Sequence, residues 1–123
     1  MGKVEWMHVT VTLTPMGVNS RAYKASFLVD TGDTDSMAPA SELRRIGIEP
    51  IGKRSYELAN GEIMECPFGL AQIEVMGEVT AGRVIFGPEG TKPILGVTAL
   101  ESVGITVDPA HQTLRRLPAI PLK

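Results

Sequence analysis

Between residues 4 and 14 the hydrophobic positions recur at every second residue. Met7, Val9, Val11 and Leu13 share one face, and Trp6, His8, Thr10 and Thr12 share the other. That is the period of a half-buried strand. Residues 15–20 hold Pro15, Gly17 and Asn19 and predict a hairpin turn. A return strand over residues 21–29 delivers Asp30 at its end. Residues 39–46 predict a short helix, with Pro39 in its first turn, Arg44 and Arg45 on its C-terminal dipole and Gly47 as its stop.

Asn60-Gly61 lies between two strand-like runs over residues 54–65, and both of its residues tolerate positive φ, so it predicts a tight hairpin. A two-residue loop there pairs Ala59 with Glu62 and Leu58 with Ile63. Residues 71–76 and 78–86 predict a further strand pair turning at Gly77. A second short helix is expected over residues 97–103, stopped by Gly104. Strands over residues 105–108 and 113–117 follow. The pattern is all-β with two short helices, without repeats, low-complexity tracts or linkers, and it predicts one domain over residues 1–123.

Composition narrows the class. Hydrophobic residues make up 43% of the chain and charged residues 21%, as in a soluble globular protein. The 13 glycines and 9 prolines are scattered, which favours short strands and tight turns. A net charge of −2 with dispersed Lys and Arg argues against a nucleic-acid partner. Cys66 is the only cysteine, so no disulfide forms within the chain, which suits a reducing, cytoplasmic setting. It reads as a small buried hydrophobe and the six methionines as core filler. No window is apolar enough to span a membrane, and the first six residues lack the apolar stretch of a secretory signal.

The chemistry concentrates in Phe27-Leu28-Val29-Asp30-Thr31-Gly32. Burying a charge costs several kcal/mol unless it is paired or partly protonated. A carboxylate at the end of an apolar strand therefore points to a task, and the task inferred is activation of water. This stretch resembles the active-site loop of the retropepsin-like aspartic proteases, the retroviral, single-domain type. Two further segments carry the resemblance. Pro93-Ile94-Leu95-Gly96 runs into a helix at Val97, and the Asn60-Gly61 hairpin lies between the two motifs, where that family has its flap. The resemblance extends over residues 4–117.

The resemblance implies a closed β-barrel active as a C2 homodimer. Two nearby carboxylates cannot both ionise, so one keeps a proton while the other takes one from water. The chain has one Asp-Thr-Gly, so the pair requires Asp30 from each of two copies across an isologous interface. Thr31 would cross to its mate beneath the pair, and Gly32 would shape the loop. Ile94, Leu95 and Gly96 would support it from below. Asp33, Thr34 and Asp35, with Ala59, Asn60, Gly61 and Glu62 at the flap tip, would bind an extended peptide. No metal or cofactor is implied.

The chain also departs from the family pattern. Asp33 stands where Ala, Ser or Thr is common. Thr34 and Val97 replace an aspartate and an arginine that form an ion pair in retroviral enzymes, which suits a cellular or bacterial relative. Two other readings stay open. One is an inactive peptide-binding dimer with this fold, in which Asp33 spoils the pair. The other is a metal-dependent phosphotransfer enzyme with Asp30, Asp33 and Asp35 around a cation, although the spacing matches no EF-hand and no phosphate-cradling loop is evident. Asp108 reads as a turn residue, and His8 and His111 as surface or strand positions.

Overall fold

The computed structural model describes residues 7–17, 21–120 and 122. The first residues of the predicted opening strand and the end of its turn, residues 4–6 and 18–20, lie outside these. β1 (His8–Pro15) and β2 (Tyr23–Asp30) form an antiparallel hairpin, followed by β3 (Ser36–Pro39) and α1 (Ala40–Arg45). Next come β4 (Gly52–Glu57), β5 (Ile63–Val75), β6 (Glu78–Gly87), β7 (Ile94–Gly96) and α2 (Val97–Ser102). A separate hairpin of β8 (Ile105–Asp108) and β9 (Thr113–Arg116) completes the described chain.

Six strands close on themselves in the order β1-β2-β7-β3-β6-β5, because β1 also pairs with β5 from Val11 opposite Val75 to Pro15 opposite Ala71. The result is a closed, mostly β barrel with two short helices. β4 lies outside the ring, paired with the first half of the 13-residue β5. The alternation expected in β1 is present: Met7, Val11 and Leu13 are buried and Val9 packs against them. They meet Phe27 and Val29 of β2, Ile73 and Val75 of β5, Val84 of β6 and Leu95 of β7 in one core. Fully burying a side chain of this size is worth about 1.5–3 kcal/mol, so the interior of the ring is the main source of stability.

Several local expectations need correction. The Asn60-Gly61 loop has three residues, not two. Glu57 pairs with Ile63, and the Leu58 N–H donates to the Glu62 carbonyl, so Leu58 faces Glu62 rather than Ile63. Gly61 N–H donates to the Leu58 carbonyl at 2.9 Å, and Gly61 takes φ of +88°. This is a type I turn followed by a left-handed residue, the common three-residue solution, and only the glycine needs positive φ. A slip of one residue changes which side chains share a face. The turn between β5 and β6 does use two residues, Met76 and Gly77, both at positive φ.

β3 falls where the sequence predicts no element, apart from Pro39 at the start of the expected helix. It has four residues, ends in Pro39 and runs parallel to β6, so local alternation is too short to reveal it. Pro39 consequently caps α1 instead of sitting within its first turn, and Ile46 is the C-cap. The carboxylate of Glu89 accepts the Ser41 N–H and hydroxyl, supplying from another segment the cap that Pro39 lacks. Cys66 is half-buried, not buried. β8 and β9 pair only with each other among the described residues and are not barrel staves. Arg116 fastens that hairpin to the barrel by donating to the Met76 carbonyl and approaching Glu78 at 3.5 Å. Asp108 accepts the backbone N–H groups of Ala110 and His111 in the β8–β9 turn, as a turn residue should.

Candidate active site

The inward alternation of β2 leaves its last residue, Asp30, half-buried at the rim of the barrel. Thr31, Gly32, Asp33 and Thr34 follow as exposed residues, and Asp35 is half-buried. The turn closes through Asp33 N–H donating to the Asp30 carbonyl at 3.2 Å. Gly32 N–H donates to Asp30 Oδ1 at 2.9 Å, so the carboxylate is oriented by the backbone of its own turn.

The floor of this loop comes from far along the chain. β7 runs parallel to β2, placing Ile94, Leu95 and Gly96 opposite Leu28, Val29 and Asp30. A Cβ on Gly96 would stand 2.6 Å from the Thr34 carbonyl oxygen and from the Asp35 carbonyl carbon, inside contact distance. Only a glycine admits that approach. Gly96 N–H donates to the buried Ser36 hydroxyl oxygen at 3.0 Å. Val97 and Thr98 N–H donate to the carbonyls of Asp33 and Thr34 at 2.8 and 3.3 Å. Where the retroviral ion pair is missing at Thr34 and Val97, backbone bonds join the loop to the start of α2.

Thr31 turns toward a cavity of about 370 Å³ that it shares with Val97, Leu100, Ile105, Val107 and Leu117. The hairpin stands apart from the ring. Residues 57–65 are all exposed, including the apolar Leu58, Ile63 and Met64. Its tip is internally bonded: Leu58 N–H donates to the Glu62 carbonyl at 2.7 Å and Glu62 N–H to Asn60 Oδ1 at 2.9 Å. The arm meets the Asp30 loop through Tyr56, whose hydroxyl donates to Asp35 Oδ2 at 2.7 Å. Thus Asp30 to Asp35 and Ile94 to Gly96 form one bonded unit, and Ala59 to Glu62 are linked to it through the strand behind them.

Tyr56 and Ser36 were not singled out from the sequence. An aromatic in the otherwise polar run Lys53-Arg54-Ser55-Tyr56-Glu57 is a weak signal for the first. Ser36 is buried, with 2% of its surface exposed, because a parallel strand covers it, and nothing local announces that.

A family model described as "gag-polyprotein putative aspartyl protease" matches residues 14–102. The chain belongs to that family. Among solved structures, the solution structure of the Simian Foamy Virus (mac) protease is similar at a TM-score of 0.53 and 16% identity, covering 76% of this chain and 90% of that one. That likeness is one of fold, the retropepsin-like barrel. No curated protein sequence matches the chain. Among the described residues, no helix is long and apolar enough to cross a membrane, and no three metal-ligating side chains cluster.

Within this retropepsin-like frame Asp33 is unusual. Although Asp33 as a whole is exposed, partial shielding of its carboxyl from water, the neighbouring Asp30 charge and hydrogen bonding toward Asp30 push that carboxyl above the ordinary value of 3.8. The folded protein then binds this proton more tightly than the unfolded chain does. Stability therefore falls as pH rises from the ordinary value to the raised one, and stays lower above it. Asp33→Asn keeps a donor toward Asp30 and removes the charge. Thermal melts should show this variant more stable than wild type at pH 7, with the difference vanishing below the ordinary carboxylate range. A variant that melts lower, or a gap that ignores pH, would contradict this account.

Proposed function

We propose that the chain is an aspartic endopeptidase that works as a C2 homodimer, with Asp30 of each copy forming the catalytic pair. The observation that carries this is the seating of Asp30-Thr31-Gly32 on Ile94-Leu95-Gly96 at an open rim of the barrel. The carboxylate is held by the Gly32 N–H while its surroundings stay open to solvent. Exposed Thr31 beside a largely apolar cavity supports a second copy docking there.

In this reading one carboxylate of the pair is ionised and the other protonated. The ionised one takes a proton from water as the water oxygen attacks the scissile carbonyl carbon. The protonated one gives its proton to the carbonyl oxygen, which leaves a neutral gem-diol and still one proton on the pair. On collapse the C–N bond breaks, the nitrogen takes a proton from the pair, and a gem-diol hydroxyl returns one. The substrate is an extended peptide between the pair and the β4–β5 arm, whose exposed Leu58, Ile63 and Met64 offer apolar contacts. The lone cysteine is in keeping with a cytoplasmic setting.

The second carboxyl group placed beside Asp30 within one copy, that of Asp33, favours a second reading, a peptide-binding dimer without activity. Peptide-library hydrolysis at rising protein concentration separates the two. Specific activity should climb as dimers form, resist a chelator, and be blocked by a statine-type mimic of the gem-diol. Mimic-induced thermal stabilisation without any cleavage would support the binding module instead. Activity independent of concentration down to the monomer would reject the shared pair.

A further inference from the structure

Among the described residues, β4 is the one strand of the large sheet outside the closed ring, with β5 as its partner. Beyond Tyr56 the chain is exposed for nine residues, from Glu57 to Glu65, before it returns to the barrel. Such an arm has few contacts to fix its direction, and isolated two-stranded hairpins are marginal in water. Tyr56 is half-buried at the root of this arm, and its hydroxyl reaches Asp35, five residues after Asp30, at 2.7 Å. Burial and the Asp35 carboxylate push the phenol up to about 12, against which Arg54 and Arg83 act in the opposite direction. The phenol is thus a firm donor through the whole range in which the protein would work.

We propose that Tyr56 is a positioning residue that latches the hairpin arm to the loop carrying Asp30, so that one phenol–carboxylate hydrogen bond sets where the arm lies over the cleft. This deepens the peptidase reading and rests on it for the arm's role as a cover. The Asp35 carboxylate becomes a fixed anchor of the arm, with one oxygen already engaged before any peptide arrives. Closing a water-excluding cover over a substrate is then partly completed in the free protein, which reduces the ordering cost of binding.

Amide hydrogen exchange tests the latch without depending on catalysis. Tyr56→Phe keeps the ring and removes only the hydroxyl. The Leu58 and Gly61 amides, which are bonded within the hairpin, should exchange about 3- to 10-fold faster in this variant, the change expected from one lost hydrogen bond. Amides of the β5–β6 ladder should be unaffected. Asp35→Ala should reproduce the effect, and Asp35→Asn, which keeps an acceptor, should largely avoid it. In a peptide assay Tyr56→Phe should raise KM more than it lowers kcat. Unchanged hairpin exchange would overturn the latch, and so would equal acceleration of the β5–β6 amides, which marks a general stabilising contact. If the wild-type protein cleaves no peptide, the peptidase reading fails while the exchange result still decides the latch.

Discussion

Asp30→Asn should lower kcat/KM for peptide hydrolysis by roughly 10³-fold or more, equivalent to about 4 kcal/mol of transition-state stabilisation. A carboxamide cannot take the proton of water, and groups that act as a pair lose most of their effect when either fails. In a homodimer the substitution removes both members at once. Asn keeps an oxygen at the position that accepts the Gly32 N–H at 2.9 Å, so the turn should persist. Unfolding curves and sedimentation of the variant should match wild type. A variant that cleaves peptide at the wild-type rate would remove Asp30 from the chemistry.

Gly96→Ala should be the most damaging single-methyl change near the site. The backbone at Gly96 is extended, with φ of −81° and ψ of 161°, so alanine meets no conformational barrier there. The obstacle is steric: its methyl would lie 2.6 Å from backbone atoms of Thr34 and Asp35, which cannot swing aside as a side chain does. Overpacking typically costs about 1–3 kcal/mol, and backbone against backbone belongs at the upper end. For a chain of this length that lowers Tm by roughly 10 °C. Activity should fall further than stability predicts, because the displaced residues are the loop next to Asp30. Wild-type melting and wild-type kcat/KM together would show that the approach at Gly96 is looser than it stands here.

What the sequence revealed of this fold was set by how local each signal is. β1, β2 and the β5–β6 hairpin announce themselves by alternation and turn chemistry, since each pairs with its neighbour in the chain. The strand-to-Asp30 run and the Ile94-Leu95-Gly96 run were readable as separate motifs by their resemblance to the retropepsin-like family. β3 stayed hidden because its identity as a strand comes from β6 and β7, distant in sequence, and a four-residue stretch ending in proline carries no period of its own. The loop at Asn60 was expected one residue too short because Asn-Gly suits both two- and three-residue turns, and the Leu58–Glu62 pairing decides between them. Tyr56 and Ser36 escaped for the same reason: each matters through a partner 21 or 60 positions away.

The parallel pairing of β2 with β7 has a consequence for the order in which the molecule can be made. Asp30 leaves the ribosome well before its partner, because the strand it rests on ends at Gly96, more than sixty residues later. Parallel neighbours so far apart must wait for a long loop to close before either gains from the contact. A nascent chain that stops short of β7 carries the acidic triplet without its floor, so the bonded unit around Asp30 cannot form until Gly96 has been made.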